Sequence, residues 1–318
     1  EARKNKLNLE FNPTKPKFIC RREFKNIDLG LLTPYIDWTP FFQTWDLAGS
    51  YPKILDDTVV GQSAKQLFKE ANTLLEKLVN EKRLKANGVV AFYPANSIND
   101  DIEIYADETR ETTLFTYFGL RQQTLKPKID GIQKPNMCLS DFIAPKETGI
   151  EDYIGLFAVT AGEGGDFYEK KFLEEHDDYG SIMFKALTDR LAEAFAEYMH
   201  ERVRVDLWGY SMNETLTKDD LIKESYKGIR PAPGYPACPE HTVKKDMFTV
   251  LNTCDIGMEL TDSLAMKPAS SVSGFYFSHP EAKYFSVDKI DQDQLKDMAL
   301  RRGVDIEQLR IWLATNLR

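Results

Sequence analysis

The sixteen residues from Tyr226 to His241, Tyr-Lys-Gly-Ile-Arg-Pro-Ala-Pro-Gly-Tyr-Pro-Ala-Cys-Pro-Glu-His, include four prolines and two glycines. Such a run excludes a helix interior and fixes φ at many positions, so the chain here forms ordered irregular backbone rather than a floppy linker. Its peptide N–H and C=O groups are turned away from regular ladders and must be met by side chains, water or a ligand. Among them stand Arg230, Tyr235, Glu240 and His241, a charged fork, an aromatic face and two titratable groups in one short segment. That combination suits a polar, planar ligand bearing a carboxylate. A proline-rich surface turn with solvated side chains has the same composition.

The rest of the composition narrows the class. A chain of 318 residues, 42% hydrophobic and 12% aromatic, is a packed globular protein of one large domain or two small ones. With 41 basic against 50 acidic residues, a net charge of −9 argues against a nucleic-acid surface. Cys20, Cys138, Cys238 and Cys254 contain no C-x-x-C pair, so neither a disulfide framework nor a four-thiolate zinc site is signalled. Reduced thiols in the cytoplasm are expected. No apolar run approaches the roughly 20 residues that span a bilayer, and the charged start from Glu1 to Lys6 lacks a signal-peptide core and begins without Met, as a piece of something longer would.

Periodicity places the elements. Residues 1–25 read as a polar lead-in, broken by Pro13 and Pro16, before a domain over 26–318. Aromatic residues Tyr35, Trp38, Phe41, Phe42 and Trp45 crowd around Asp37, which suits a helix cap beside a core cluster. Ala64, Leu67, Phe68, Ala71, Leu74, Leu75 and Leu78 predict an amphipathic helix over 60–86. Strands are expected at Val89–Pro94, ended by the proline, at Asp101–Tyr105 and at Tyr153–Thr160, with shorter extended or helical pieces at 112–118 and 136–143. The glycine-rich turn Ala161–Asp166 follows a strand, but its acids would repel a pyrophosphate and its spacing lacks the dinucleotide fingerprint.

The longest helix is expected over 177–208, with Ile182, Ala186, Leu187, Leu191, Ala194, Phe195, Tyr198 and Met199 on its apolar face. On it Asp189, Glu193 and Glu197 form an acidic ridge, in most helices a solvated face. A short helix starting at Thr217 and running to Glu224, strands at Ser271–Phe277 and Lys283–Val287, and two terminal helices separated by Gly303 complete the reading. There is no internal repeat.

Several strings resemble one family. Arg-Pro-Ala-Pro-Gly-Tyr-Pro at 230–236 with Ala-Cys-Pro-Glu-His at 237–241 is similar to the S-adenosylmethionine-binding motif of the C-terminal reactivation domain of cobalamin-dependent methionine synthase. The likeness extends through Tyr35–Phe42, Asp189–Glu197, Ser271–Gly274 and Lys283–Phe285, over nearly all of the chain after the first two dozen residues. It implies an α+β fold, a single C-shaped domain with a central, mainly antiparallel sheet flanked by helices.

It also implies a function: holding S-adenosylmethionine as methyl donor for the reductive remethylation of cob(II)alamin, the electron coming from a flavodoxin-type reductase. By resemblance the ligand contacts are Asp37, Glu224, Arg230, Ala232, Tyr235, Tyr284 and Phe285, the last standing where only Tyr284 supplies a hydroxyl. Asp189, Glu193, Tyr235 and His241 would face the cobalamin module. Corrin is expected to bind mainly through that other module, since no Asp-x-His-x-x-Gly motif occurs here; the resemblance implies that the module belongs to the same polypeptide, and implies zinc only in an absent homocysteine module. The enzyme implied is methionine synthase, of which this fragment would be a monomeric, cytoplasmic domain.

Methyl transfer from sulfur to cobalt needs no general acid or base, so no catalytic residue is expected. Other readings stand beside this one. A free-standing Rossmann methyltransferase lacks its early glycine-rich turn. The Cys238–His241 pair lacks two further metal ligands at suitable spacing. An interaction domain that only docks the electron donor and the cobalamin module would need clustered basic residues, for which Lys244, Lys245, Arg301 and Arg302 are the candidates.

Overall fold

The computed structural model describes residues 1–318, the side chain of Ile129 excepted. Six strands form the main sheet: β1 (Arg21–Ile27), β2 (Lys85–Ile98), β3 (Asp101–Tyr105), β4 (Thr113–Phe118), β5 (Asp152–Glu163) and β6 (Ser271–Tyr276). Their order is β6-β5-β2-β3-β4, with β1 pairing alongside the first half of β2. Every ladder in this sheet is antiparallel.

The two-residue period of the strands sends alternate side chains to two separate cores. Val90, Phe92, Phe157 and Val159 join one core, which is covered by helices α1 (Gly61–Glu81) and α2 (Asp178–Arg202). Val89, Ala91, Leu156 and Ala158 join the other. After the short α3 (Lys218–Ile222), that second core is covered by α4 (Val243–Leu251), α5 (Gln292–Arg302) and α6 (Ile306–Trp312). The fold is thus α+β, an antiparallel sheet buried on both faces between helical layers. Among the described residues no helix is long and apolar enough to cross a membrane.

Four local expectations are corrected. Residues 21–25, assigned to the lead-in, belong to β1, because the edge of β2 from Ala86 to Ala91 lies open until β3 begins and an unpaired edge needs cover. The preceding segment is also packed: Trp208 Nε1 donates to Thr14 O at 2.6 Å, and Leu7 and Leu9 lie against the second core. Pro94 does not end its strand. Phe92 N donates to Cys20 O, so two residues on the missing N–H of Pro94 points to the same side, where β1 has stopped and β3 has not started. Ile182 is 49% exposed rather than part of the apolar face of α2.

The fourth correction bears on function. Lys283–Val287 is not a strand. The free edge of β6 is occupied instead by the proline-rich loop: Ile229 and Phe277 exchange N–H···O bonds of 3.1 and 3.0 Å, and Phe275 N donates to Pro231 O at 2.9 Å. The 283–287 segment packs outside that loop, with Val287 N donating to Pro236 O at 2.9 Å. Gly274 permits this close approach, since a Cβ there would lie 2.6 Å from Pro231 O and 2.9 Å from the Phe157 ring. Gly274→Ala should therefore push the loop off the sheet edge. The expected loss is about 1–3 kcal/mol of stability, read by urea denaturation and accompanied by weakened ligand binding at the loop.

Candidate functional site

The loop that the edge of β6 holds forms one wall of a cleft, and α2 forms the opposite wall. The cleft has two compartments. One, of about 430 Å³, is mainly apolar and is lined by Phe157, Pro231, Ala232, Tyr235, Tyr284 and Phe285 among others. The other, of about 170 Å³, is polar and includes Asp37, Glu193, Glu197, Lys218 and Glu224 in its wall. Glu193, Glu224 and Arg230 line both, so the compartments meet at those three residues.

Local structure explains how each side chain reaches this place. Within the loop, Gly234 N donates to Cys238 O at 2.7 Å and Tyr235 N to Ala232 O at 3.1 Å, folding 232–238 into a closed turn. Gly234 has φ +95°, and the His241 ring packs where its Cβ would be, so neither energy nor space allows another residue there. Asp37 Oδ1 accepts from Thr39 N at 2.9 Å from one residue ahead of the N-cap, Trp38, and Oδ2 accepts from no protein group among the described residues. The carboxyl of Glu224 is held above its ordinary value by partial burial, with Glu197 adding to the effect against the pull of Arg230. Tyr235 is 54% exposed and its hydroxyl donates to Glu193 Oε1 at 3.2 Å. Tyr284 lines the apolar compartment, and its hydroxyl oxygen accepts from Arg230 N at 3.0 Å.

Arg230 is the centre of a buried polar network that sequence reading did not find. Its Nη2 lies 2.8 Å from Glu197 Oε2, and its Nη1 donates to the Tyr226 hydroxyl at 2.9 Å and lies 3.3 Å from His200 Nδ1. Behind it Arg204, fully buried, lies 3.9 Å from Glu197 and holds Glu214 in a two-pronged pair at 2.7–2.9 Å. Burial works against the charge of Arg230, but Glu197 and the tyrosines outweigh it and raise the guanidinium above its ordinary value.

The inner end of the acidic ridge is therefore not solvated. Asp189 is exposed beside Arg190, Glu193 lines the cleft, and Glu197 is buried. A signal was present. Glu197, His200 and Arg204 continue the ridge at helical spacing into a helix buried nearly all round, where charged groups must find partners. The π-helical turn at Val203–Leu207, which aims Arg204 inward, has no sequence signature.

His200 supplies a pH test. Burial, then Arg204 and Arg230, depress its pKa well below the ordinary value. Since the unfolded chain titrates near 6.5, it binds more protons than the folded chain below that value. Stability from neutral His200 is thus present above about pH 6.5 and lost as the pH falls toward the folded value. Urea midpoints measured from pH 7.5 to 5 should decline less steeply in His200→Gln than in wild type.

Of the remaining expected residues, His241 is exposed at the outer end of the loop, while Cys238 is buried, its thiol pushed up to about 12 by burial. Glu240 accepts from Thr242 and pairs with Arg302 at 3.1 Å.

Comparison with known proteins follows the same outline. The family described as vitamin B12 dependent methionine synthase, activation domain, matches residues 28–303. A solved structure described as the crystal structure of the MetH reactivation domain bound to AdoHcy is 51% identical, covers 99% of this chain and 97% of its own, and superposes with a TM-score of 0.93. The chain belongs to the vitamin B12-dependent methionine synthase activation-domain family.

Proposed function

We propose that this domain binds S-adenosylmethionine as the methyl donor for reductive remethylation of cob(II)alamin, which is held by a cobalamin-binding module of the same polypeptide. A flavodoxin-type reductase supplies the electron, in the cytoplasm. The observation that carries the reading is the two-part cleft meeting at Arg230. The apolar compartment takes adenine and ribose, and the Ala232 N–H, which donates to no protein group among the described residues, is available to them. Asp37 Oδ2, Glu193 Oε2 and both Glu224 oxygens accept no hydrogen bond among the described residues and suit an ammonium and a sulfonium. Arg230 keeps Nε–H and one Nη2–H for the ligand carboxylate. S-adenosylmethionine brings the reactive methyl group; the protein's work is to hold and orient it.

Asp189, Tyr235 and His241 are exposed, Glu193 and Tyr235 line the cleft, and in this reading these four form the contact surface for the cobalamin module. The reading as a docking domain alone loses its basic cluster. Arg301 pairs with Asp101 and Asp297, Arg302 pairs with Glu240, and Lys244 donates to Leu264 O, which leaves Lys245 alone exposed of the four.

Calorimetric titration with S-adenosylmethionine tests the proposal. One site per chain is expected, with Asp37→Asn weakening it by about 1.5–3 kcal/mol, the worth of a hydrogen bond to a charged group. No heat of binding from a folded domain would favour the docking reading.

A further inference from the structure

We propose that Glu197 is the positioning residue of this cleft: it aligns the Arg230 guanidinium for a ligand carboxylate without touching the ligand's carboxylate itself. The inference rests on the S-adenosylmethionine reading above. Glu197 is 9% exposed and stands between two guanidinium groups, 2.8 Å from Arg230 and 3.9 Å from Arg204. Arg204 cannot yield, because it is fully buried, is gripped by both oxygens of Glu214 and lies 4.4 Å over the Tyr226 ring. Charges alternate along the row Glu214, Arg204, Glu197 and Arg230: Glu214 grips Arg204 by hydrogen bonds, Arg204 attracts Glu197 across 3.9 Å, and Glu197 stands 2.8 Å from Arg230.

The consequence lies in how the five N–H groups of an arginine are shared out. On Arg230, Nη1 faces the Tyr226 hydroxyl and His200 Nδ1, and Nη2 faces Glu197. His200 can accept because it is held neutral, and its ring is stacked on Tyr276 at 5.3 Å. The guanidinium is thus gripped from its buried side, and Nε–H with one Nη2–H stays uncommitted among the described residues. A planar donor fork held in one orientation loses little freedom when a carboxylate binds. Without Glu197 the fork keeps its charge and loses its aim.

The test is calorimetric titration of the 318-residue chain and its Glu197→Gln variant with two ligands, S-adenosylmethionine and its decarboxylated analogue. The analogue keeps the adenosine, sulfonium and ammonium groups and lacks only the carboxylate. Glu197→Gln should lower affinity for S-adenosylmethionine about tenfold to a hundredfold and change that for the analogue by no more than about threefold, collapsing the preference between them. An unchanged preference overturns the proposal. So does an equal loss for both ligands, which is what a purely structural role produces. If Glu197→Gln does not fold, Glu197→Asp, whose carboxylate is drawn back by one methylene, is judged by the same comparison. A wild-type chain that binds neither ligand sinks the S-adenosylmethionine reading and this one with it, whereas binding of both with no preference overturns only the pairing of Arg230 and Glu197 with the carboxylate.

Discussion

Arg230→Ala is expected to reduce S-adenosylmethionine binding about a hundredfold or more and to destabilise the domain at the same time. The two effects have separate causes. Binding loses a pair of charge-assisted hydrogen bonds to the carboxylate, each worth about 1.5–3 kcal/mol when desolvated. Stability falls because Glu197 keeps only the more distant Arg204 at 3.9 Å, and Tyr226 and His200 lose their common donor. Breaking one side of a buried ion pair costs about 3–5 kcal/mol; Arg230 retains 17% side-chain exposure, so the lower part of that range is expected.

Arg230→Lys separates the effects. A lysine keeps a charge for Glu197 and cannot form the fork, so urea denaturation should show partial recovery while calorimetry shows little. Full recovery of affinity in Arg230→Lys would mean that the ligand carboxylate is not bound bidentately at this residue.

The second large effect is expected far from the cleft. Arg121 is almost fully buried between Asp100 and Asp141, with five contacts of 2.7–2.8 Å to the two carboxylates and to Asn136 O. Its backbone exchanges hydrogen bonds with the Gln294 side chain in α5, and Asp100 also pairs with Arg3. One guanidinium thereby joins the start of the chain, the β2–β3 turn, the 136–143 segment and a C-terminal helix. Arg121→Met leaves Asp141 buried with no cationic partner and Asp100 with Arg3 alone, and should cost about 3–5 kcal/mol. Urea denaturation checks the loss. The triple variant Arg121→Met, Asp100→Asn, Asp141→Asn should regain much of it, because the uncompensated charge is then gone.

Local physics was legible in single stretches of this chain. The 3.6-residue spacing from Ala64 to Leu78 marked α1, the Thr217 hydroxyl marked the start of α3, the alternating runs marked β3 and β6, and the run Tyr153–Thr160 marked β5. The prolines and glycines of 226–241 marked ordered irregular backbone, and the strings around them pointed to a family that the comparison of residues 28–303 shows. Each of these depends on neighbours a few residues apart, which any stretch of sequence displays.

What only the tertiary structure decided depends on which distant groups share a surface. Lys283–Val287 has the composition of a strand, yet the edge of β6 has room for one partner and the 229–231 segment fills it. Pro94 continues its strand because β1 ends and β3 begins on either side of its missing N–H. Arg121, Asp100 and Asp141 are unremarkable singly and become a buried cluster only when the turns carrying them meet. The same holds in the cleft: the chain order shows Arg230 in a loop and Glu197 on a helix, and burial brings them within 2.8 Å. A charge in water is indifferent to its sequence neighbours, but a charge removed from water must be matched, and which group matches it is a property of the packed molecule.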